Sequence, residues 1–384
     1  MKTKSYTKLL IIIVITILII PALFVFIVDP LQLYHNQITL KKEKFFKEQR
    51  HQNIGLINKF LNRSNENYKT IVLGSSLSEN LISSEIEKLL KTKTKVLKLL
   101  LSGGQPIEYD TTLKKALASG KIKTVYWEIN RNYMFEKIHS IDKNHDFPYE
   151  LYSNNFIKQG FYYLFNADYL RHSLSVFTGK VSLSQWGEDL DRLNYWMTGA
   201  LKSKKFYKYS SSENIVKLNK NITKSNRVLQ KNIQQYDFKY LKKYILDIIK
   251  QHPSVNFKIW FPPYSTYYYK TYNLKQIKRV ISAKKYLVHE TNNIDNVTVF
   301  GFDNDFNITN NINNYKDYAH YRSYINDYMI EEMINEQHVL NTNNIDEYLN
   351  NLINNINAYN KVISYDTNEN TSTSFRQDKE RHTR

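Results

Sequence analysis

The longest uninterrupted apolar run lies at the start of the chain. Residues Leu9 to Val28 read LLIIIVITILIIPALFVFIV, 20 positions without a charge. That is the length a helix needs to cross the hydrocarbon core of a bilayer. Lys2, Lys4 and Lys8 precede it, which favours a cytoplasmic N-terminus. The exit, FVFIVDPLQLYH, carries no small-residue cleavage pattern. The run is therefore expected to persist as a signal anchor, residues 1–28, rather than be removed. No second apolar run of this length follows, so the remainder is expected to lie outside the cell membrane as an extracytoplasmic domain.

Residues 29–68 read as a juxtamembrane stalk, with a helix around Lys41 to Leu61. Five short apolar runs follow: TIVLGSS from Thr70, KVLKLLLSGG from Lys95, TVYWEIN from Thr124, FKIWFPPY from Phe257 and VTVFGFD from Val297. Runs this short and this apolar suit strands buried on both faces. Helical segments such as Ser84 to Lys91 and Tyr109 to Ser119 separate several of them, and such alternation predicts an α/β fold with a central parallel sheet of about five strands. The gap at about 131–256 is too long for one crossover and reads as a mostly helical, aromatic-rich insertion. Beyond the 69–335 domain, Ile345, Tyr348, Leu349, Leu352, Ile353 and Ile356 recur at helical spacing and predict a docking helix. From about Asp366 the chain is polar and aperiodic, which predicts a disordered tail within 336–384.

Composition narrows the chemistry. The 384 residues include no cysteine, which excludes disulfides, thiol nucleophiles and cysteine-ligated zinc. Net charge is +18, but the lysines are scattered and no zinc-finger or RRM-type spacing accompanies them. Beside a membrane anchor, lipid head groups or an acidic glycan suit this charge better than nucleic acid does, although a simply solvated basic surface accounts for it as well.

Three strand ends carry residues with chemical potential. The first ends Gly74-Ser75-Ser76, a small turn that can present a hydroxyl at a helix N-terminus, although Ser is also an ordinary N-cap. The second ends Ser102-Gly103-Gly104, where glycine lets backbone approach a bound group, although a tight turn needs the same residues. After the fifth comes Asp317-Tyr318-Ala319-His320. A serine nucleophile needs a base, and the base needs a group that orients it. An Asp three residues before a His puts both on one loop, although Asp317 could equally cap a helix starting near Tyr318.

The order of these three features resembles the SGNH, or GDSL-like, hydrolase superfamily, over roughly Thr70 to Asn335. The family's nucleophile matches Ser76, its oxyanion glycine Gly103, and its Asp-x-x-His pair Asp317 and His320. Two positions depart from the pattern. Ser75 stands where an Asp is usual, and strand three runs into Glu128-Ile129-Asn130-Arg131-Asn132 rather than Gly-x-Asn-Asp, which leaves Asn130 as the nearest match to the oxyanion Asn. The resemblance implies a flavodoxin-like, three-layer SGNH-like fold. In its mechanism Ser76 attacks an acyl donor, His320 acts as base and then acid, Asp317 orients it, and no cofactor or metal takes part. His139, His145 and His172 lie in the insertion and are expected to matter less.

The anchored layout is similar to the branch that D-alanylates lipoteichoic acid or O-acetylates exported glycans beside a multi-spanning membrane O-acyltransferase. An acyltransferase or carbohydrate esterase acting on an envelope polysaccharide or teichoic-acid-like polymer is thus implied. A non-catalytic glycan-binding or assembly factor is the alternative.

Overall fold

The computed structural model describes residues 2–135, 147–180, 186–203, 212–224 and 236–361. His139, His145 and the expected tail lie outside them. In chain order the elements begin with helix α1 (Lys2–Val28), strand β1 (Phe45–Phe46), helix α2 (Gln49–Leu56) and strand β2 (Tyr68–Gly74). Helix α3 (Ser83–Leu90), strand β3 (Lys95–Leu100), helix α4 (Pro106–Leu117) and strand β4 (Thr124–Glu128) follow. Next come helices α5 (Tyr149–Tyr152), α6 (Phe156–Leu164) and α7 (Ala167–Thr178), then strands β5 (Trp186–Gly187), β6 (Asn256–Phe261), β7 (Val297–Gly301) and β8 (Val339–Leu340).

The chain divides into two compact units. One comprises Met1–Glu66, Thr111–Lys121 and Lys143–Leu193; the other comprises Asn67–Asp110, Ile122–Asp142 and Asn194–Arg384.

The second unit holds a six-stranded sheet in the order β3-β2-β4-β6-β7-β8. The first five strands run parallel, and β8 pairs antiparallel with β7 at the edge. All five expected strands form within two residues of their predicted starts. The sixth, two residues long, has too few side chains to leave a pattern. Consecutive residues Ile71, Val72 and Leu73 are all fully buried, which requires cover on both faces of the sheet. The order of the parallel strands is the doubly wound 2-1-3-4-5, whose switch point falls between β2 and β4, and ligands of such sheets bind beyond the carboxyl ends at that point. The expected docking helix forms as Ile345–Ala358, with all six periodic residues buried, and packs on helix Leu274–Thr291.

The first unit corrects several boundaries. Residues 29–68, read as a juxtamembrane stalk, contribute buried side chains, among them Leu31, Arg50, Asn53, Ile54 and Ile57. The helix expected over Lys41 to Leu61 starts only at Gln49, where Glu48 caps it by accepting the His51 N–H, and continues through π-helical turns over Ile57–Arg63. Phe45 and Phe46 instead pair with Gly187 and Trp186. The insertion is shared between the units: residues 143–193 belong to the first, and residues 131–142 and those from Asn194 on belong to the second. The DPLQLYH exit of α1 is a closed turn. The buried Asp29 carboxylate accepts the N–H groups of Leu33, Tyr34 and His35 and the Tyr163 hydroxyl.

Candidate active site

The site lies wholly within the second unit, on loops that follow the parallel strands. Strand β2 delivers the chain to Gly74, where a Cβ would lie 2.5 Å from Ser78 Oγ and 3.1 Å from Glu128 Oε2. Glycine is required there by close approach, not by an unusual φ. The loop then runs from Ser75 to Ile82, and α3 begins only at Ser83. Ser76 is therefore not at a helix N-terminus, contrary to expectation, and its position must be fixed by other means.

Glu128, at the end of β4, supplies them. The Ser75 hydroxyl donates to its Oε1 at 2.5 Å, the Ser75 N–H donates to Oε2 at 3.3 Å, and the Ser78 hydroxyl donates to Oε2 as well. Glu128 is fully buried. Burial pushes its carboxyl above the ordinary range, although hydrogen bonds from Ser75, Ser78 and Asn130 pull the other way. This carboxylate ties both flanks of Ser76 to the sheet. Sequence reasoning missed it; the only signal was a carboxylate ending an otherwise apolar strand.

With the loop held, Ser76 Oγ lies 2.7 Å from His320 Nε2. His320 Nδ1 lies 2.8 Å from Asp317 Oδ2 and 2.9 Å from Oδ1. A nitrogen facing a carboxylate carries the proton, so Nε2 presents its lone pair and the Ser76 hydroxyl donates to it. Asp317 also accepts the Ala319 and His320 N–H groups at 3.0 and 2.9 Å. Burial alone would raise the Asp317 carboxyl, but these bonds and the His320 ring outweigh it and hold it below the usual carboxylate range.

The helix beyond starts at Ser323, so Asp317 folds its own loop rather than capping that helix. Lys316 N–H donates to His320 O at 2.9 Å, and a bridge between the buried Tyr315 and Tyr321 closes the loop.

Trp196 braces the pair from the insertion. Its indole N–H donates to Ser76 O at 2.9 Å, and its ring meets His320 edge-on at 5.7 Å between centroids. Lys316 Nζ sits 3.6 Å from the centre of the same ring.

Ser76 and His320 line a cleft of about 210 Å³ with Gly103, Asn130, Arg131, Tyr264 and Tyr268. Gly103 has φ +64° and open space where a side chain would be, so its glycine is required by backbone conformation. Gly103 and Ser76 both belong to this one cleft. Asn130 reaches the cleft wall, but its side chain is engaged. It donates to Tyr109 Oη at 3.2 Å and accepts the Asn132 N–H at 2.9 Å. The structure thus brings Ser76, His320, Asp317, Gly103 and Asn130 together, while His172 lies in the first unit. No group of three or more metal-ligating side chains occurs among the described residues.

No known protein family's profile matches the sequence, and no curated protein is significantly similar to it.

Proposed function

We propose that this protein is a membrane-anchored member of the SGNH-like hydrolases, facing the outside of the cell, that transfers or removes acyl groups on an envelope polysaccharide or teichoic-acid-like polymer. The observation that carries the reading is the chain of contacts from Ser76 Oγ through His320 to Asp317, assembled from residues 244 positions apart. A hydrogen-bonded base correctly oriented by a carboxylate is what makes a serine hydroxyl nucleophilic.

In this reading Ser76 Oγ attacks the acyl carbonyl as its proton passes to His320 Nε2. The Ser76 and Gly103 N–H groups receive the oxyanion. The imidazolium, steadied by ionised Asp317, returns the proton to the leaving oxygen, and an acyl-serine remains. A sugar hydroxyl or water then attacks it, with His320 again as base. The one apolar N-terminal helix, long enough to span a bilayer, supports placement at the membrane, and a multi-spanning O-acyltransferase is the partner that would suit that setting.

Incubating the purified full-length protein with acetylated envelope polysaccharide and a nitrophenyl acetate donor tests this. Acetyl should move to the polymer, or leave it, in a Ser76-dependent manner. A folded protein that binds polymer but neither gains nor releases acetyl would instead favour a glycan-binding or assembly factor.

A further inference from the structure

Helix α1 is exposed along most of its length and gripped at its C-terminal end. Side chains such as Leu10, Ile17 and Ile20 are exposed, whereas Ala22, Val25 and Val28 are buried. Helices α6 and α7 pack against α1, and Phe24 meets Phe177 of α7 edge-on with ring centroids 5.7 Å apart. On the outer side of these same gripped turns, Leu23, Phe26 and Ile27 remain exposed.

The ungripped apolar stretch is too short to span a bilayer by itself. Leu9 to Pro21 is 13 residues, about 20 Å of helix at ~1.5 Å per residue, against a hydrocarbon core of ~30 Å. The missing ~10 Å is the length of the seven residues from Ala22 to Val28. A spanning α1 therefore carries its gripped turns, and α6 and α7 with them, into the bilayer.

The composition of α6 fits that depth. Gly160 and Tyr163 face inward, and a Cβ on Gly160 would lie 2.8 Å from Tyr34 Oη, so the glycine permits close packing. The other face presents Phe156, Ile157 and Phe161, 77%, 70% and 69% exposed. Phe165 continues the stripe, its ring centroid 5.1 Å from that of Phe161. Leu174 of α7 and the loop residues Ile38 and Leu40 are exposed as well. Exposed Lys41, Lys42 and Lys158 accompany them, as on helices that lie in a lipid interface with anionic head groups. So large an exposed apolar surface needs an occupant, and continuity with the lipid-facing side of α1 identifies it as lipid.

We propose that α6, the outer face of α7 and the Ile38–Leu40 loop form a collar seated in the bilayer leaflet around the end of α1. This rests on α1 being an uncleaved span. The absence of cysteine makes the test clean. Leu18→Cys, Ile157→Cys, Phe161→Cys and Lys88→Cys variants of the full-length protein each carry one environment-sensitive fluorophore, in vesicles of phosphatidylcholine and phosphatidylglycerol.

The collar predicts blue-shifted emission at 157 and 161 that a nitroxide high on the lipid acyl chain quenches and aqueous iodide does not. Leu18→Cys should respond to a deeper nitroxide, and Lys88→Cys to iodide alone. If position 18 is quenched from the lipid while 157 and 161 are reached by iodide, the collar is overturned and the anchor stands. Labels at 157 and 161 shielded from both quenchers would mean that protein, not lipid, covers this face. Iodide quenching at position 18 would remove the anchor reading, and the collar with it.

Discussion

Replacing Glu128 by alanine would strip three buried donors of their acceptor: the Ser75 hydroxyl, the Ser75 N–H and the Ser78 hydroxyl. A buried donor left unsatisfied costs about 1–3 kcal/mol. Relief of the buried charge offsets part of that sum, so a net loss of about 3 kcal/mol is expected. Ser76 lies between the freed residues, and a reacting group displaced by ~1 Å loses on the order of 100-fold in rate. Glu128→Gln keeps the shape and both serine contacts, since hydroxyls can reverse direction, and should cost about 1 kcal/mol.

The pH dependence separates the two variants further. A carboxyl raised by burial contributes stability that is present below its unfolded value, about 4.3, and lost as pH rises through its folded value. The wild type should therefore lose stability relative to Glu128→Gln as pH rises from that point. Thermal unfolding followed by tryptophan fluorescence, and the rate of reaction with a fluorophosphonate, measure both effects on the detergent-solubilised protein. A Glu128→Ala protein with wild-type midpoint and wild-type labelling rate would refute the idea that this carboxylate positions the nucleophile.

Other outcomes follow from the same geometry. Asp317→Asn, which permits the wrong imidazole tautomer, should slow acyl-enzyme formation by up to ~10⁴-fold while leaving the fold intact, as read by single-turnover kinetics. Because the Asp317 carboxyl is held low, the stability it confers is present above about pH 3.9 and lost as pH falls through its folded value; acid unfolding of this variant should lack that component. Trp196→Phe removes the N–H donated to Ser76 O and should reduce the labelling rate roughly tenfold, the equivalent of ~1.4 kcal/mol, a typical single hydrogen bond. Gly74→Ala forces a methyl against Ser78 and Glu128 and should lower stability by about 1–3 kcal/mol, seen as a lower unfolding midpoint.

What was legible in the sequence follows from burial. Strands β2, β3, β4, β6 and β7 are buried over most of their length, so their side chains are mainly apolar and each run stands out. The docking helix was equally plain, because one side of Ile345–Ala358 meets the core and the other does not. Strand β8 and the β1–β5 pair are two residues long each and leave no period. Helix α3 forms within one residue of its expected start, but Ser75 and Ser76, which look like caps, do not begin it; the cap position is Ile82, which offers no side-chain acceptor.

Among site residues, Ser76, His320 and Asp317 were readable from type and order along the chain. Glu128 and Trp196 were not, since their roles depend on strand pairing and on an insertion whose placement no local pattern encodes. Ser75, which looked like a bystander, is half of the clamp that holds its neighbour.

The central claim is that Ser76 is a nucleophile activated by His320. Mass spectrometry of the full-length protein after exposure to a fluorophosphonate tests it directly. The wild type should gain one adduct, mapped to the peptide containing Ser76. Ser76→Ala should gain none, His320→Ala should gain it at a small fraction of the wild-type rate, and Ser75→Ala should still gain it at Ser76. An adduct that persists in Ser76→Ala, or a folded wild type that gains none, would contradict the account.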